Sequence, residues 1–161
     1  MTTIAEFRFP LPPCLNEQIN IARNNRYGSA KEKEKWTNDI AALAKKQNQS
    51  SYPGKVWMQF IYYLKNSRRD PDNVSASRKY ILDGLVQAGI IVNDNLQIIQ
   101  SPIIESFVVS EPGRNNAKRK TKSQLNSVAP NETDEPLRDK IKILTDEVVV
   151  KICDECIYLV G

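Results

Sequence analysis

Residues 68–94 read RRDPDNVSASRKYILDGLVQAGIIVND, and their pattern predicts a strand end, a helix and a second extended segment. Asp70 and Asp72 flank a proline near the start of this stretch. Proline disfavours helical backbone in the residue before it, so Asp70 is expected to be extended. Residues i and i+2 of an extended segment point to the same side, so the two carboxylates are expected to converge.

Apolar residues at helical spacing follow the acidic pair. They are Ile81, Leu82, Leu85 and Ala88. Gly89 stands where a glycine commonly ends a helix, so the pattern predicts a helix over residues 74–88. Asp72 or Asn73 is a natural N-cap for it. The sequence IIVNDN then predicts a short extended segment that carries Asp94.

The acidic side chains of the stretch predict a metal site. Asp70, Asp72 and Asp94 form a hard, oxygen-rich ligand set in a chain without histidine, which suits Mg²⁺ or Mn²⁺ better than zinc. Such an ion lowers the pKa of a bound water and stabilises charge on a phosphoryl group. Lys79, in the predicted helix, is a candidate to neutralise the phosphate or to hold the attacking water. The hypothesis is therefore a metal-dependent nuclease.

A purely structural interpretation of the same residues stays open. Aspartate beside proline and asparagine is ordinary turn chemistry, and Asp72 could act only as a helix cap. Lys79 and Asp83 are four residues apart on the predicted helix, where an exposed ion pair contributes ~0.3 kcal/mol. Arg68 and Arg69 are placed to meet flanking phosphates if DNA binds there.

The whole combination resembles the RusA family of Holliday junction resolvases, which cut four-way DNA junctions. The resemblance covers roughly residues 7–109. The matching residues are Asp70, Asp72 and Asn73, Lys79 with Asp83, Ala88 with Gly89, Asp94, and, near the start, Pro12, Pro13 and Asn16. The resemblance implies that Asp70, Asp72 and Asp94 bind the metal and that Lys79 is the catalytic lysine.

The sequence departs from the family pattern at three places. The spacing from Asn73 to Lys79 is longer, which places Lys79 differently or gives Arg78 a share of its role. Asn93 stands where the family often has a second acid. The segment after Val109 is also longer and lies outside the resemblance.

Length and composition narrow the function classes. The chain has 161 residues and a formal net charge of +4, which predicts one domain and permits a nucleic-acid partner. The absence of histidine excludes a Ser-His-Asp triad and histidine-based zinc sites.

Cys153 and Cys156 form a single C-x-x-C, which predicts reduced cysteines rather than a zinc ribbon. No signal peptide or membrane-length apolar run is present in the sequence, which predicts a cytoplasmic protein and no membrane partner.

The remaining segments complete the predicted fold. Strands are predicted at residues 4–9, 55–64, 96–109 and 147–152, the second central and the third with a bulge or edge position at Pro102. Residues 14–28 are predicted to be a loop, and a capping box of Ser29 and Glu32 is predicted to start a helix at residues 30–47. Residues 112–139 shift to a basic and then an acidic composition, which predicts a flexible insertion, with its basic half either on DNA or paired with its acidic half.

The predicted fold is a single α+β domain, residues 1–111 and 140–161, with a mixed sheet of about four strands and two main helices. The predicted function is a Mg²⁺-dependent endonuclease that resolves four-way DNA junctions as a homodimer, since a two-fold protein matches two symmetry-related cuts. Mn²⁺ is expected to substitute. The candidate DNA contacts are Asn16, Arg26, Arg68, Arg69, Asn73 and Arg78. A non-catalytic module for branched nucleic acid and a broader structure-specific nuclease remain the alternatives.

Overall fold

A computed structural model of the chain describes residues 2–110 and 146–154. The strands are β1 Thr3–Pro10, β2 Val56–Leu64, β3 Ile99–Val109 and β4 Glu147–Cys153. The helices are α1 Leu15–Asn24, α2 Arg26–Gln47, the short α3 Pro71–Ser75 and α4 Arg78–Gln87. The predicted α+β class is confirmed.

The strands form one mixed sheet in the order β1-β4-β2-β3. β4 is antiparallel to both of its neighbours, whereas β2 and β3 are parallel. The prediction of a mixed four-stranded sheet is confirmed, and so is the inner position of β2. The acidic pair therefore follows directly after an inner strand, which is paired on both sides.

The core lies between the sheet and the helices. Side chains of β2 alternate strictly between buried and half-buried positions. The buried set of β2 belongs to the same cluster as Ile40 of α2 and Ile81 and Leu85 of α4. Among the described residues, β2 is thus fully buried on one face, although its apolar sequence allowed cover on both.

Helices α2 and α4 approach each other closely at Gly84. A Cβ atom on Gly84 would lie 2.8 Å from Cβ of Ile40 and 3.2 Å from the carbonyl oxygen of Thr37. Only a residue without a side chain fits there, so Gly84 sets the distance between the two helices.

The prediction of a loop at residues 14–28 is wrong. Cys14 is the N-cap of α1, and its backbone amide donates to the Glu17 carboxylate at 2.8 Å. Asn25, rather than Ser29, caps α2 by accepting a hydrogen bond from the Gly28 amide at 2.9 Å. Helix α1 contains no buried residue, although Leu15, Ile19 and Ala22 recur on one face at helical spacing and were an available signal for a helix.

The predicted helix over residues 74–88 is divided in two. Asp70, and not Asp72 or Asn73, is the N-cap of α3, and the chain turns at Ala76 and Ser77 before α4 begins. The end of α4 agrees with the prediction. Gly89 has a φ of 75°, and the amides of Gly89 and Ile90 donate to the carbonyls two and three positions inside the helix end, as in a Schellman motif.

The connection to β3 is less extended than predicted. In the segment after Gly89, a single bridge joins Ile91 to Tyr52, and turns lead to a strand that begins at Ile99 rather than residue 96. The pairing of β2 with β3 shifts between Trp57 and Gln59, opposite Pro102, and β3 is an edge strand. The expected irregularity at Pro102 is confirmed.

Some predictions concern parts of the chain outside the described residues. They are the insertion at residues 112–139 and the Cys156 half of the C-x-x-C. Within residues 2–110 and 146–154, none of the helices is long and apolar enough to cross a membrane.

The substitution Gly84→Ala is expected to lower the free energy of unfolding by about 1–3 kcal/mol, because the new methyl group overlaps Ile40 in a packed interface. Chemical denaturation of both proteins measures the difference. Gly54→Ala is the control, since a Cβ at Gly54 meets nothing within 4 Å. Equal effects of the two substitutions would contradict the close approach of α2 and α4.

Candidate active site

The turn from β2 to α3 is held by Arg69. Its guanidinium is half-buried, donates a hydrogen bond to Sγ of Cys14 at 3.1 Å and forms an ion pair with Asp146 at 3.3 Å. Asp146 also accepts a hydrogen bond from the Lys65 amide at 2.9 Å. These contacts tie the residue before Asp70 to the start of α1 and to the start of β4.

Asp70 and Asp72 lie at the beginning of α3. Asp70 is extended, with φ −75° and ψ 144°, as its position before proline predicts. Its side chain makes no capping hydrogen bond, and Asp72 lies in the first turn rather than at the cap. Both side chains are exposed, and neither takes part in an ion pair among the described residues. A structural role as N-cap therefore does not explain either carboxylate.

Asn73 joins the acidic pair to the N-terminal part of the resemblance. Its Oδ1 accepts a hydrogen bond from the backbone amide of Asn16 at 2.9 Å. The two residues are 57 positions apart in sequence, so this contact exists only in the fold. It brings the first turn of α1 against α3.

Lys79 connects the helix to the final acid. Its Nζ lies 2.6 Å from Oδ2 of Asp94 and 2.7 Å from Oδ1 of Asp83. The other oxygen of Asp83 lies 3.3 Å from Nζ of Lys33 on α2. Hydrogen bonds to Asp83 and Asp94 raise the pKa of Lys79, and the hydrogen bond from Lys79 lowers the pKa of Asp94. Lys79 is therefore a charged ammonium at neutral pH, held by two carboxylates.

Asp70 is extended but Asp72 is helical, so the predicted convergence of the two carboxylates along one extended segment is wrong. Nowhere in residues 2–110 and 146–154 do three or more His, Cys, Asp or Glu side chains gather as a metal-binding group, so Asp94 does not complete such a group with Asp70 and Asp72. The ammonium of Lys79 lies beside Asp94, in the place that a metal ion bound to this carboxylate would take. Asp70 and Asp72 by themselves fit Mg²⁺, which commonly takes one or two carboxylates with waters and phosphate oxygens. The three-carboxylate site stays a prediction.

The four arginines among the predicted DNA contacts fall into two groups, whereas Asn16 and Asn73 hydrogen-bond to each other. Arg26, at the start of α2, and Arg68, in the turn before Asp70, are exposed. Arg69 and Arg78 instead have carboxylate partners within the fold, and Arg78 does not lie in the Lys79 cluster. The long spacing after Asn73 thus leaves Lys79, rather than Arg78, beside Asp94.

Glu105 on β3 is a site-adjacent residue that the sequence prediction missed. Its carboxylate accepts hydrogen bonds from the Tyr62 hydroxyl at 3.1 Å, the Ser75 hydroxyl at 2.9 Å and the Arg78 guanidinium at 2.9 Å. Burial raises the pKa of Tyr62, and the charge of Glu105 adds to that shift. A charged residue in an otherwise uncharged strand was the available signal, since Glu105 is the one charged residue of β3.

No protein-family model and no curated protein matches the sequence.

The ion pairs of Lys79 are expected to depend on pH in a defined direction. The pKa of Asp94 is lowered from its ordinary 3.8, so its contribution to stability is present above about pH 4 and is lost as pH falls through the lowered pKa. The pKa of Lys79 is raised from 10.5, so its contribution is present below that pH and is lost as pH rises through the raised pKa. The window of full stabilisation runs between the two ordinary values.

Asp94→Asn is expected to lower the pKa of Lys79, as followed by NMR of the lysine side chain, and to reduce stability at pH 7 by about 0.2–1 kcal/mol for a solvent-screened pair. At a pH well below the pKa of Asp94 the two proteins should be equally stable. Asp39→Asn on the exposed face of α2 is the control and should leave the Lys79 titration unchanged. An unshifted titration in Asp94→Asn would contradict the contact.

Proposed function

We propose that the chain is a RusA-type, Mg²⁺-dependent endonuclease that resolves four-way DNA junctions by paired symmetric nicks, in DNA recombination and repair. The observation that carries the proposal is the contact between separate parts of the sequence pattern. Asn16 meets Asn73, and Lys79 meets Asp94, although neither pair is adjacent in sequence. A pattern due to chance gives no reason for its distant members to contact one another.

In this proposal Asp70 and Asp72 hold the metal, and the resemblance adds Asp94 as a third ligand, which does not gather with them in the described residues. A bound Mg²⁺ supplies electrostatic stabilisation of the phosphoryl group and lowers the pKa of a coordinated water. The protein's own contribution is to keep two exposed carboxylates in place after an inner strand, where the anchored Arg69 restrains the turn. A rigidly supported site of this kind is what a precise reaction requires.

Lys79 supplies the positive charge of the proposed site. Its side chain is 57% exposed, and that of Asp94 is 27% exposed, so solvent screens their ion pair. An exposed ion pair contributes about 0.2–1 kcal/mol of stabilisation. The interactions of a doubly charged metal with Asp94 and of a phosphate with Lys79 would readily exceed that contribution. The resting contact is therefore weak enough to be exchanged for contacts with a metal and a phosphate.

A homodimer belongs to the same proposal. A four-way junction presents two symmetry-related strands, and two identical subunits related by a two-fold axis present two equivalent sites.

A specific observation favours a second candidate, a non-catalytic module that binds branched nucleic acid. Lys79 is already neutralised by Asp83 and Asp94, and the predicted triad is not gathered in the described residues. In that case Arg26 and Arg68 would supply phosphate contacts without cleavage. A broader structure-specific nuclease would share the site, and competition between junction, fork and duplex substrates separates it from a junction resolvase.

Incubation with a labelled four-way junction and Mg²⁺ is expected to give symmetric nicks that disappear when the metal is chelated. Asp72→Asn is expected to reduce the cleavage rate by at least about 10²-fold, because it removes a metal-binding charge, while junction binding in the absence of metal is retained.

Asp39→Asn removes one exposed carboxylate outside the proposed site and should cleave as the unsubstituted protein does. Binding of the junction without cleavage in the presence of any divalent ion tested would contradict the nuclease and support the binding module. Failure to bind the junction would remove both candidates.

Sedimentation equilibrium of the purified full chain is expected to give twice the mass of one chain at micromolar concentration. With the junction added, one dimer per junction is expected. A monomer in both conditions would contradict the paired-cut mechanism.

A further inference from the structure

We propose that Glu105 is a positioning residue for the proposed nuclease site and that it fixes the angle at which α3 meets α4. The proposal rests on the proposed function for its catalytic consequence. One carboxylate on the edge strand β3 clamps both sides of the helix break.

The break lies between the two parts of the site. Asp72 is in α3, Lys79 is in the first turn of α4, and the two helices are separated by Ala76 and Ser77. The backbone hydrogen bonds across the break are local, from the Ser77 amide to Val74 and from the Tyr80 amide to Ser77, at 3.0 and 3.1 Å. Such short turns do not by themselves fix the direction of the next helix.

Glu105 supplies the missing constraint from outside the two helices. Ser75, the last residue of α3, donates to one carboxylate oxygen, Oε2. Arg78, the first residue of α4, donates to the other, Oε1. The two residues that flank the break therefore share one acceptor group.

The sheet holds that acceptor in place. Glu105 is paired in register with Phe60 of β2, and the Tyr62 hydroxyl donates to the same carboxylate. The Arg78 guanidinium also lies over the Phe60 ring, 5.9 Å from its centroid. The Glu105 side chain is 22% exposed and that of Arg78 is 32% exposed, so these contacts are less screened than those of Lys79. Both clamped helices thus take their orientation from β2 and β3.

The clamp uses residues from the stretch that is longer than in the family pattern. Ser75 and Arg78 both lie between Asn73 and Lys79. The break falls within this stretch, and Glu105 offsets the freedom that a break introduces. A displacement of about 1 Å between Asp72 and Lys79 is enough to reduce a catalysed rate about 10²-fold, so the angle matters.

The test compares Glu105→Gln with Ser106→Ala. Glutamine keeps the size of the side chain but loses the charge that holds Arg78, whereas Ser106 is the next residue along β3, pairs with Ile61 and points to the other face of the sheet. Glu105→Gln is expected to lower kcat for Mg²⁺-dependent junction cleavage by about 10–100-fold. The junction Kd measured without metal should change by less than about twofold, since no DNA contact is removed. Ser106→Ala should match the unsubstituted protein.

Amide hydrogen exchange of the free protein gives a second readout that does not depend on activity. Glu105→Gln is expected to accelerate exchange at residues 74–80 by at least about tenfold, with little change in β4, because only the helix break loses its clamp. Ser75→Ala, which removes one donor and keeps the carboxylate, should accelerate the same amides less. Glu105→Asp should restore part of the protection and part of kcat.

The two readouts separate the two proposals. Local acceleration of exchange in Glu105→Gln, in a protein that never cleaves DNA, overturns the nuclease and keeps the clamp. Unchanged exchange at residues 74–80 with an unchanged kcat overturns the positioning role. Uniform acceleration across the sheet, with a kcat that is normal for the folded fraction, also overturns it, because Glu105 would then contribute only to global stability.

Discussion

The pairing of β4 between β1 and β2 is the constraint on which the rest of the described structure depends. β1 hydrogen-bonds to β4 and to no other described strand, so without β4 the first strand would have no place in the sheet. β4 also gives β2 its second neighbour, which makes it an inner strand with its backbone groups paired on both sides. Because buried backbone donors and acceptors need partners, this late segment of the chain is what joins the N-terminal strand to the site-bearing part.

The same segment restrains the turn that carries the acidic pair. Asp146 lies immediately before β4. Its carboxylate accepts a hydrogen bond from the amide of Lys65, the residue after β2, and forms an ion pair with Arg69. Arg69 reaches in turn to Cys14 at the start of α1. Three elements that are far apart in sequence thus meet at the residue before Asp70. A surface turn would otherwise be among the most mobile parts of a fold, and these contacts give it a defined position.

Charge is distributed unevenly around the proposed site. Lys79, Asp83, Asp94 and Lys33 form a network in which each carboxylate has a cationic partner, whereas Asp70 and Asp72 have no ion-pair partner among the described residues. Glu105 and Arg78 form a third, less exposed group beneath the helix break. The uncompensated pair is where an added cation would gain most. In the compensated network, Lys79 of α4 and Asp94 of the following loop are held together while no substrate is bound.

The sequence by itself determined the local elements and the identity of the chemically capable residues. Apolar runs, alternating patterns and helical spacing located the four strands of the sheet and helices α2 and α4, and the proline after Asp70 determined the extended backbone there. Gly89 marked the end of α4 because the left-handed backbone conformation at that position favours glycine. The helical spacing of Leu15, Ile19 and Ala22 was a signal for α1 that the predicted loop missed, and the break after Ser75 was not predicted.

The tertiary structure alone decided which of these residues meet. It paired Lys79 with Asp94, placed Arg78 on Glu105 instead of near the acids, and inserted β4 between strands that precede it by many residues. The physical reason is that strand order and ion pairs between distant segments depend on distances across the fold, whereas spacing along the chain encodes only local pairs such as Lys79 with Asp83. A residue such as Glu105 acquires its role only when three elements converge on it.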